Sequence, residues 1–517
     1  MLPAAECAPI VLAMSPEDVV RAWPAEVPLA AMISGFEGRA GGGRSRWSIL
    51  AIPRLWSVVD PLGDLVPRAG GVGPLHAGDL PFVGGWMGVL TYELGACLEP
   101  SACARNGRAQ WPLGAWARCE SALVHDAATG RWWAVGDADE LPCVERLLGG
   151  AAAAEIRAPM FDGPLRSEMG REAYVRAVAR AVEYIRAGDV FQVNLSHALV
   201  GTMRGTPRGL FASLLRTAAP WYGALLEVPA EIGNDLGGCA VVSASPELFL
   251  EFDARTRRAV TRPMKGTRGG ERTAAELLAS EKDAAELNMI VDLMRNDLGR
   301  VCAYGSVRVE CAREVEAHGR AGHAGDKQRS GGVLQGVATV SGTLREGLGL
   351  NDLLRATFPP GSITGAPKVR AMQIIDELEA RPRGPYCGCV GYVSDCGRSQ
   401  MNVAIRTVVM KKRGPGSGSR DSGAEAGLAG AAGAVTNSAI SAPPRETCLR
   451  EISRRGAEGA EATRCERWDV RYGVGAGIVA DSDPASEWRE TLLKARVWEG
   501  IAGVESGTAS EVCGPGS

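Results

Sequence analysis

Near the C-terminus Glu487, Glu490 and Lys494 follow one another at spacings of three and four. On a helix that spacing puts all three on one face, a turn apart. By itself such a triplet reads as a solvated, ion-paired face. Glu286, set in the apolar run "AAELNMIVDL", reads alone as a helix-boundary carboxylate. Brought together around one cavity, carboxylates from two helices would suit Mg²⁺, which takes a few of them and fills its shell with water and substrate oxygens. Lys265 lies in "TRPMKGTRGG", read as a proline-led turn between a strand and a helix. It is either a solvated loop charge or an amine aimed into a cavity. Arg406, in "NVAIRTVVM", offers a bidentate partner for a carboxylate if it points inward. "PPGSITGAPKV" runs a Gly/Ser/Thr turn into a helix start, where unpaired N–H groups and the helix dipole favour an anion. "VGAGIVADS" supplies glycines that let backbone approach a ligand closely. Together these pieces describe a Mg²⁺-assisted site for a small polyanion, without naming it.

The elements that must position these groups are legible. Val175, Val178, Val182 and Ile185 repeat at helical spacing, and Gly188 ends that helix. "VFQVNLS" alternates as a strand with Phe191, Val193 and Leu195 on one face, and "PELFLEFD" does so with Leu248, Leu250 and Phe252. Thr273 and Glu276 form a capping box that opens one long helix carrying Glu286. Pro367 is expected at a first helical position. Asp483 reads as N-cap and Pro484 as the first residue of the last helix. Strands and helices of unequal length, with hairpin-like connections, predict an α+β fold rather than a doubly wound parallel sheet.

Three stretches interrupt this pattern. Residues 147–159 separate an N-terminal part, 1–150, from the rest of the chain. Residues 318–332 and 413–465 are Gly- and Ser-rich or polar without period, and are expected to be disordered inserts. The longer insert divides two strand-like runs, which suggests an expanded hairpin, because loop closure costs only logarithmically more with length.

The 517 residues are 45% hydrophobic and 23% charged, with a formal net charge of −3, an ordinary globular balance. No basic excess draws nucleic acid or an anionic membrane surface, and no apolar run approaches a membrane span. The first residues lack a basic leader, so a cytoplasmic location is expected. The 14 cysteines are scattered. Cys387, Cys389 and Cys396 lack zinc-ligand spacing and a nearby histidine, and read as reduced thiols.

The segments "YIRAGDVFQVNLS", "SPELFL", "RPMKGTRGG", "AELNMIVDLMRNDLGRV", "FPPGSITGAPKVRAMQIIDELE", "GYVSDCGRSQMNVAIRT" and "GAGIVADSDPASEWRETLLKA" occur in the order seen in chorismate-utilising enzymes. The chain resembles that family over roughly 165–412 and 467–500. "PFVGGWMGVLTYELG" and "RSRWSILAIP" resemble the N-terminal part of its amino-transferring branches. The resemblance implies an intertwined two-sheet β-sandwich with helices outside, and a catalytic region over 165–500. It implies Mg²⁺ held by Glu286 and Glu490 with support from Glu487. Thr364, Gly365, Ala366, Gly475 and Gly477 match ligand-contacting backbone. Thr267 and Lys494 match substrate-binding positions, and Tyr392 and Arg406 the contacts to the enolpyruvyl group and its carboxylate. Glu247 matches a general acid for the departing 4-hydroxyl.

Lys265 separates the branches. Anthranilate synthases have alanine in this turn, whereas "KGT" resembles the aminodeoxychorismate synthases. There the implied mechanism adds the lysine amine to ring carbon 2, expels the 4-hydroxyl, and lets ammonia add at carbon 4 and displace the lysine. The implied product, 4-amino-4-deoxychorismate, feeds p-aminobenzoate and folate synthesis. No glutaminase segment is recognised, so a glutamine amidotransferase subunit is the expected ammonia source. Two further readings stay open: an anthranilate synthase component, and a degenerate paralogue without turnover. Leu334 falls where the family commonly shows histidine, and His318 and His323 fall in the adjacent insert. "ISGFEGRAGGG" lacks the Leu-Glu-Ser pattern tied to tryptophan feedback, so no such inhibition is expected.

Overall fold

Alternating apolar residues in "QVNLSHALVGTMR" build a 13-residue strand, Gln192–Arg204, and two of its neighbours decide what the site can look like. On one side it pairs with Arg467–Ile478 over its whole length, and at its start with the two-residue strand Gly365–Ala366. The computed structural model describes residues 6–25, 27–34, 46–67, 80–102, 111–136, 158–229, 238–269, 273–318, 333–413, 466–495 and 501. Among these described residues two sheets, antiparallel throughout, form an α+β architecture. One has thirteen strands, with Ala30–Ile33, Tyr222–Val228, Cys239–Ser245, Thr407–Lys412, Arg467–Ile478 and Gln192–Arg204 side by side in its middle. The other has ten, and runs from Met264–Gly269 through Val333–Thr343, Arg258–Arg262, Leu248–Asp253, Arg398–Val403 and Cys389–Ser394 to Gly85–Leu90 and beyond.

The chain weaves between the sheets. Ala30–Ile33 pairs with Tyr222–Val228 in the first, and Gly85–Leu90 pairs with Cys389–Ser394 in the second. Strands from the first 136 residues therefore complete both sheets rather than forming a layer of their own. Side chains such as Phe82, Val89, Leu226, Val241 and Tyr392 pack together between the sheets. Buried residues of the helices Arg171–Arg186, Glu281–Gly299 and Lys368–Leu378 share another apolar cluster with the strands. The fold thus matches the two-sheet expectation.

Several local expectations are corrected. Lys265 is on a strand, Met264–Gly269, not in a turn, because this segment pairs with Val333–Thr343. Gly266, at φ +76°, makes the bulge between Lys265 and Thr267, a conformation glycine adopts without strain. The expected single helix from Thr273 is two. Thr273 and Glu276 cap Ala274–Ala279, and then Ser280 leaves helical geometry and caps Glu281–Gly299 by accepting from the Asp283 N–H at 3.3 Å. Pro367 is the N-cap of Lys368–Leu378 rather than its first residue. Phe191 precedes its strand and is 73% exposed, while Val193 and Leu195 are buried. His318 ends the strand Arg308–His318 opposite Val333 and is buried, so it is not part of a loop.

The remaining residues of the two expected inserts, 319–332 and 414–465, lie outside the described residues, as do 147–157 and His323. A hairpin flanks the longer insert: Lys412 sits opposite Trp468, and the Arg413 N–H donates to the Arg467 carbonyl at 2.9 Å.

Candidate active site

The site is built on a strip of sheet without side chains. In the ladder between Gln192–Arg204 and Arg467–Ile478, Gly473, Gly475 and Gly477 face Ala198, Ser196 and Asn194. Alternate residues of a strand share a face, so the three glycines leave a strip of the Arg467–Ile478 backbone without side chains, bordered by Ala198, Ser196 and Asn194. A Cβ on Gly477 would come within 2.9 Å of Lys265 Nζ, and one on Gly475 within 3.2 Å of the Tyr386 hydroxyl. Those groups therefore lie directly over the backbone.

Lys265 Nζ is 4.0 Å from Glu286 Oε2, and its side chain is 13% exposed. Burial lowers its pKa; Glu286 opposes that, Lys494 adds to it, and Glu247 and Glu490 oppose it more weakly. The amine is thus easier to deprotonate than an ordinary lysine. Glu247, between Cys239–Ser245 and Leu248–Asp253, is 4% exposed. Its Oε1 accepts from the Ser362 hydroxyl at 2.5 Å. Burial pushes its pKa up to about 7, against the pull of Ser362, Lys265 and the Met264 N–H. Near neutral pH a large fraction of this carboxyl carries its proton, and the acid and the Lys265 amine lie within electrostatic reach of each other.

The C-terminal helix, Pro484–Lys494, begins as expected: Asp483 accepts from the Ser486 N–H at 2.8 Å and Pro484 follows. Its inner face is anchored by Trp488, stacked on His197 at 4.8 Å, and by Thr491, whose hydroxyl lies 2.9 Å from His197 Nε2. That anchoring turns the charged face toward the strip. Lys494 Nζ reaches Glu490 Oε1 and the Gly475 carbonyl, each at 2.8 Å. Glu487 accepts from Ser482 at 2.7 Å; burial raises its pKa, with Glu490 adding to the effect. For Glu490 burial works upward, but Lys494, Lys265 and Lys282 outweigh it and hold the carboxyl below its usual value. Glu286 and Glu490 both act on the Lys265 charge, so carboxylates from two helices converge on one amine. Among the described residues no three carboxylate, His or Cys side chains form a ready-made metal cluster. The donor set still fits Mg²⁺, an ion that needs only one or two carboxylates when substrate oxygens and water supply the rest.

Arg406 has φ +50° and is partly buried; its guanidinium makes no hydrogen bond or ion pair with a described residue. Burial lowers its pKa, an unfavourable position that a carboxylate ligand would relieve. Thr364 is fully buried and its hydroxyl turns back onto the carbonyls of Pro360 and Gly361, at 3.1 and 3.2 Å. Gly365 and Ala366 pair with Val193 and Gln192. A Cβ on Gly365, at φ +145°, would strike the Gln192 carbonyl. This segment closes the end of the sheet by its own hydrogen bonds. Thr267 stands opposite Gln335, and Leu334 opposite Arg268 and Ala317.

Tyr392 lies between the sheets, edge-on to Phe82 at 5.8 Å, and the ionisable groups acting on it are Glu251, Cys396 and Arg398. The tyrosine over the glycine strip is Tyr386. Sequence reasoning passed over it, and over Gln192, which is buried against Gly477 beside Lys265. The polar face of "FQVNLS" was the available signal for Gln192. Tyr386 gave none, because the left-handed turn at Cys387, φ +63°, comes between it and its strand.

A family model described as chorismate binding enzyme matches residues 65–450 and 462–499. Anthranilate synthase component 1 from Thermus thermophilus is 36% identical over 369 residues, which are 68% of this chain and 75% of that protein. Aminodeoxychorismate synthase component 1 from Escherichia coli is 35% identical over 356 residues, 65% of this chain and 70% of that protein. Among solved structures, anthranilate synthase component I from Streptococcus pneumoniae superposes with a TM-score of 0.62 at 25% identity, covering 89% of this chain and 93% of that one. Two activities therefore stand at nearly equal similarity, and the residues around Lys265 have to separate them.

Proposed function

The chain belongs to the chorismate binding enzymes, and from that premise we propose that it aminates chorismate at carbon 4, giving 4-amino-4-deoxychorismate. The observation that carries this reading is Lys265: a largely buried amine of lowered pKa over the glycine strip, electrostatically coupled to Glu247. In the proposed sequence the neutral Lys265 amine forms a bond to carbon 2 as both conjugated ring double bonds shift by one position and the carbon 4–oxygen bond breaks. Glu247 gives its proton to the departing oxygen, which leaves as water. The lysine nitrogen sheds its extra proton. Ammonia then bonds to carbon 4, both double bonds shift back, and the lysine leaves carbon 2 as a neutral amine, regaining a proton as the new carbon 4 nitrogen gives one up. The net change is chorismate plus ammonia to aminodeoxychorismate plus water.

Arg406 would take the enolpyruvyl carboxylate, with Tyr386 rather than Tyr392 beside it. Lys494 would meet the ring substituents from the C-terminal helix, next to the backbone of Gly475 and Gly477. Thr267 and the segment Thr364 to Ala366 would bound the ring. Glu286 and Glu490, with Glu487 behind them, would hold Mg²⁺, which when bound withdraws electrons through the ring carboxylate. Ammonia is proposed to come from a glutamine amidotransferase subunit, and the product to serve p-aminobenzoate and folate synthesis.

The test is product analysis after incubation with chorismate, Mg²⁺ and ammonium. Wild type should form aminodeoxychorismate, and Lys265→Ala should lose it. With ammonia left out, intact-mass spectrometry should find a chorismate-derived adduct on wild type and none on Lys265→Ala. A fully active Lys265→Ala removes the lysine mechanism. A fluorescent anthranilate product from wild type would instead favour the second reading, which the 36% identity to an anthranilate synthase component supports.

A further inference from the structure

We propose that His197 is a positioning residue for the Mg²⁺ site, setting the angle of the last helix through a ring tautomer that its neighbours fix. The inference rests on the carboxylate assignment above. His197 stands in the middle of Gln192–Arg204, opposite Val474, and is 6% exposed. Its ring stacks on Trp488 and meets the Tyr174 ring at 4.9 Å. Both ring nitrogens have a hydroxyl partner: Nδ1 is 3.0 Å from Ser167 Oγ, and Nε2 is 2.9 Å from Thr491 Oγ1. Thr491 donates its one hydroxyl proton to the Trp488 carbonyl at 2.8 Å. Toward His197 it can therefore only accept, so the ring proton sits on Nε2. Burial lowers the pKa of His197 to about 4, with the Ala198 backbone opposing it. Near neutral pH the ring is uncharged and Nδ1 is bare. Ser167 completes the row by taking the Gly170 N–H at 3.1 Å and giving its own proton to Nδ1. From Gly170 to Trp488 each hydrogen bond has one possible direction.

The two residues that His197 grips each follow a carboxylate: Trp488 follows Glu487, and Thr491 follows Glu490. Neighbouring residues of a helix point about 100° apart, so fixing the grips fixes where the carboxylates aim. A helix with its side chains is about 10–12 Å across, and a rotation of about 10° moves a carboxylate tip by roughly 1 Å. Mg²⁺ holds oxygen at about 2.0–2.1 Å in near-octahedral geometry, so such a shift loses the ligand. Stacking on Trp488 alone lets one ring slide over the other. The bond from Nε2–H to Thr491 is directional and does not. The ring thus carries the register of the strand into the aim of Glu490.

The experiment uses the full chain with isotope-labelled histidine for NMR, and MgCl₂ as the probe in assays with chorismate and ammonium. Wild type near neutral pH, without Mg²⁺, should show one neutral ring protonated at Nε2, and His197→Gln should remove that signal. His197→Gln keeps a donor near the place of Nε2. His197→Asn keeps an amide near Nδ1 and leaves Thr491 without its donor, and His197→Phe keeps only the stack. The Mg²⁺ concentration for half-maximal turnover should rise roughly tenfold in the Asn and Phe variants and stay within about twofold of wild type in Gln. Saturating Mg²⁺ should restore kcat in all three. A ring proton on Nδ1 overturns the inference whether or not the variants fold. So does a folded set in which Phe matches wild type, or in which Gln and Asn lose Mg²⁺ response equally, since a ring that only packs gives those patterns. Failure of the premise reads differently. Wild-type turnover indifferent to Mg²⁺ removes the carboxylate assignment and this inference with it, whereas Mg²⁺-dependent turnover with unmoved variants removes only the part given to His197.

Discussion

Glu247 is buried at a strand junction with Ser362 as its hydrogen-bond partner, and burial moves its pKa from 4.5 to about 7. A carboxyl raised on folding adds stability that is complete below its unfolded pKa and is lost as the pH rises through its folded one. Stability should therefore decline between about pH 4.5 and 7 by an amount that Glu247→Gln removes. Urea midpoints of the two proteins across that range are the check. Activity should show the same group: if the acid form protonates the leaving oxygen, kcat falls above pH 7, and Glu247→Gln should lower it roughly 10²- to 10⁴-fold. Glu286→Gln and Glu490→Gln should each abolish Mg²⁺-dependent turnover with the fold retained, since a hard cation loses affinity when a charged oxygen becomes an amide. Circular dichroism with Mg²⁺ titration separates the two effects. Glu286, Glu490 and Lys494 were legible because helical spacing is local and survives folding. Tyr386 and Gln192 were not, because their places depend on a left-handed residue at 387 and on which strands become neighbours.

At the scale of elements, Gly365 shows how a residue near the site can act through the sheet. A side chain there meets the Gln192 carbonyl and, at 2.9 Å, the Ala371 Cβ, with φ at +145° besides. Gly365→Ala should destabilise the protein by about 2 kcal/mol or more, seen as a lower denaturation midpoint, before any effect on binding is considered. Ser280 holds the start of the helix that carries Glu286. Ser280→Ala should cost about 1 kcal/mol, a loss measurable by the same midpoint. The helix over 171–186, the capping box at 273 and the Asp483–Pro484 start were all written in local chemistry. The strand that carries Lys265 was not. "PMKGTRG" has the glycines and proline of a turn, and only the pairing of Met264–Gly269 with Val333–Thr343 makes it extended.

On the scale of the whole molecule, the chain leaves the first sheet at Arg413 and returns at Glu466, next to where it left; Lys412 pairs with Glu466, and Arg413 with Asp469 at 2.6 Å. Replacing 414–465 with a short turn should leave ammonium-dependent turnover near that of wild type, and steady-state kinetics of the deletion variant checks it. The strand reached after that return, Arg467–Ile478, lies between Gln192–Arg204 and Thr407–Lys412. This order has a consequence for biosynthesis. A ribosome that has finished residue 204 must make 263 more before residue 467 exists. At the usual elongation rate that takes roughly 13 to 53 seconds. Throughout that interval the long face of Gln192–Arg204 that will receive its last partner is an open edge, available to other strands in the cell. The nascent polypeptide thus depends on being shielded until residues 467–494 emerge, and that stretch delivers the glycine floor, Glu490 and Lys494 together.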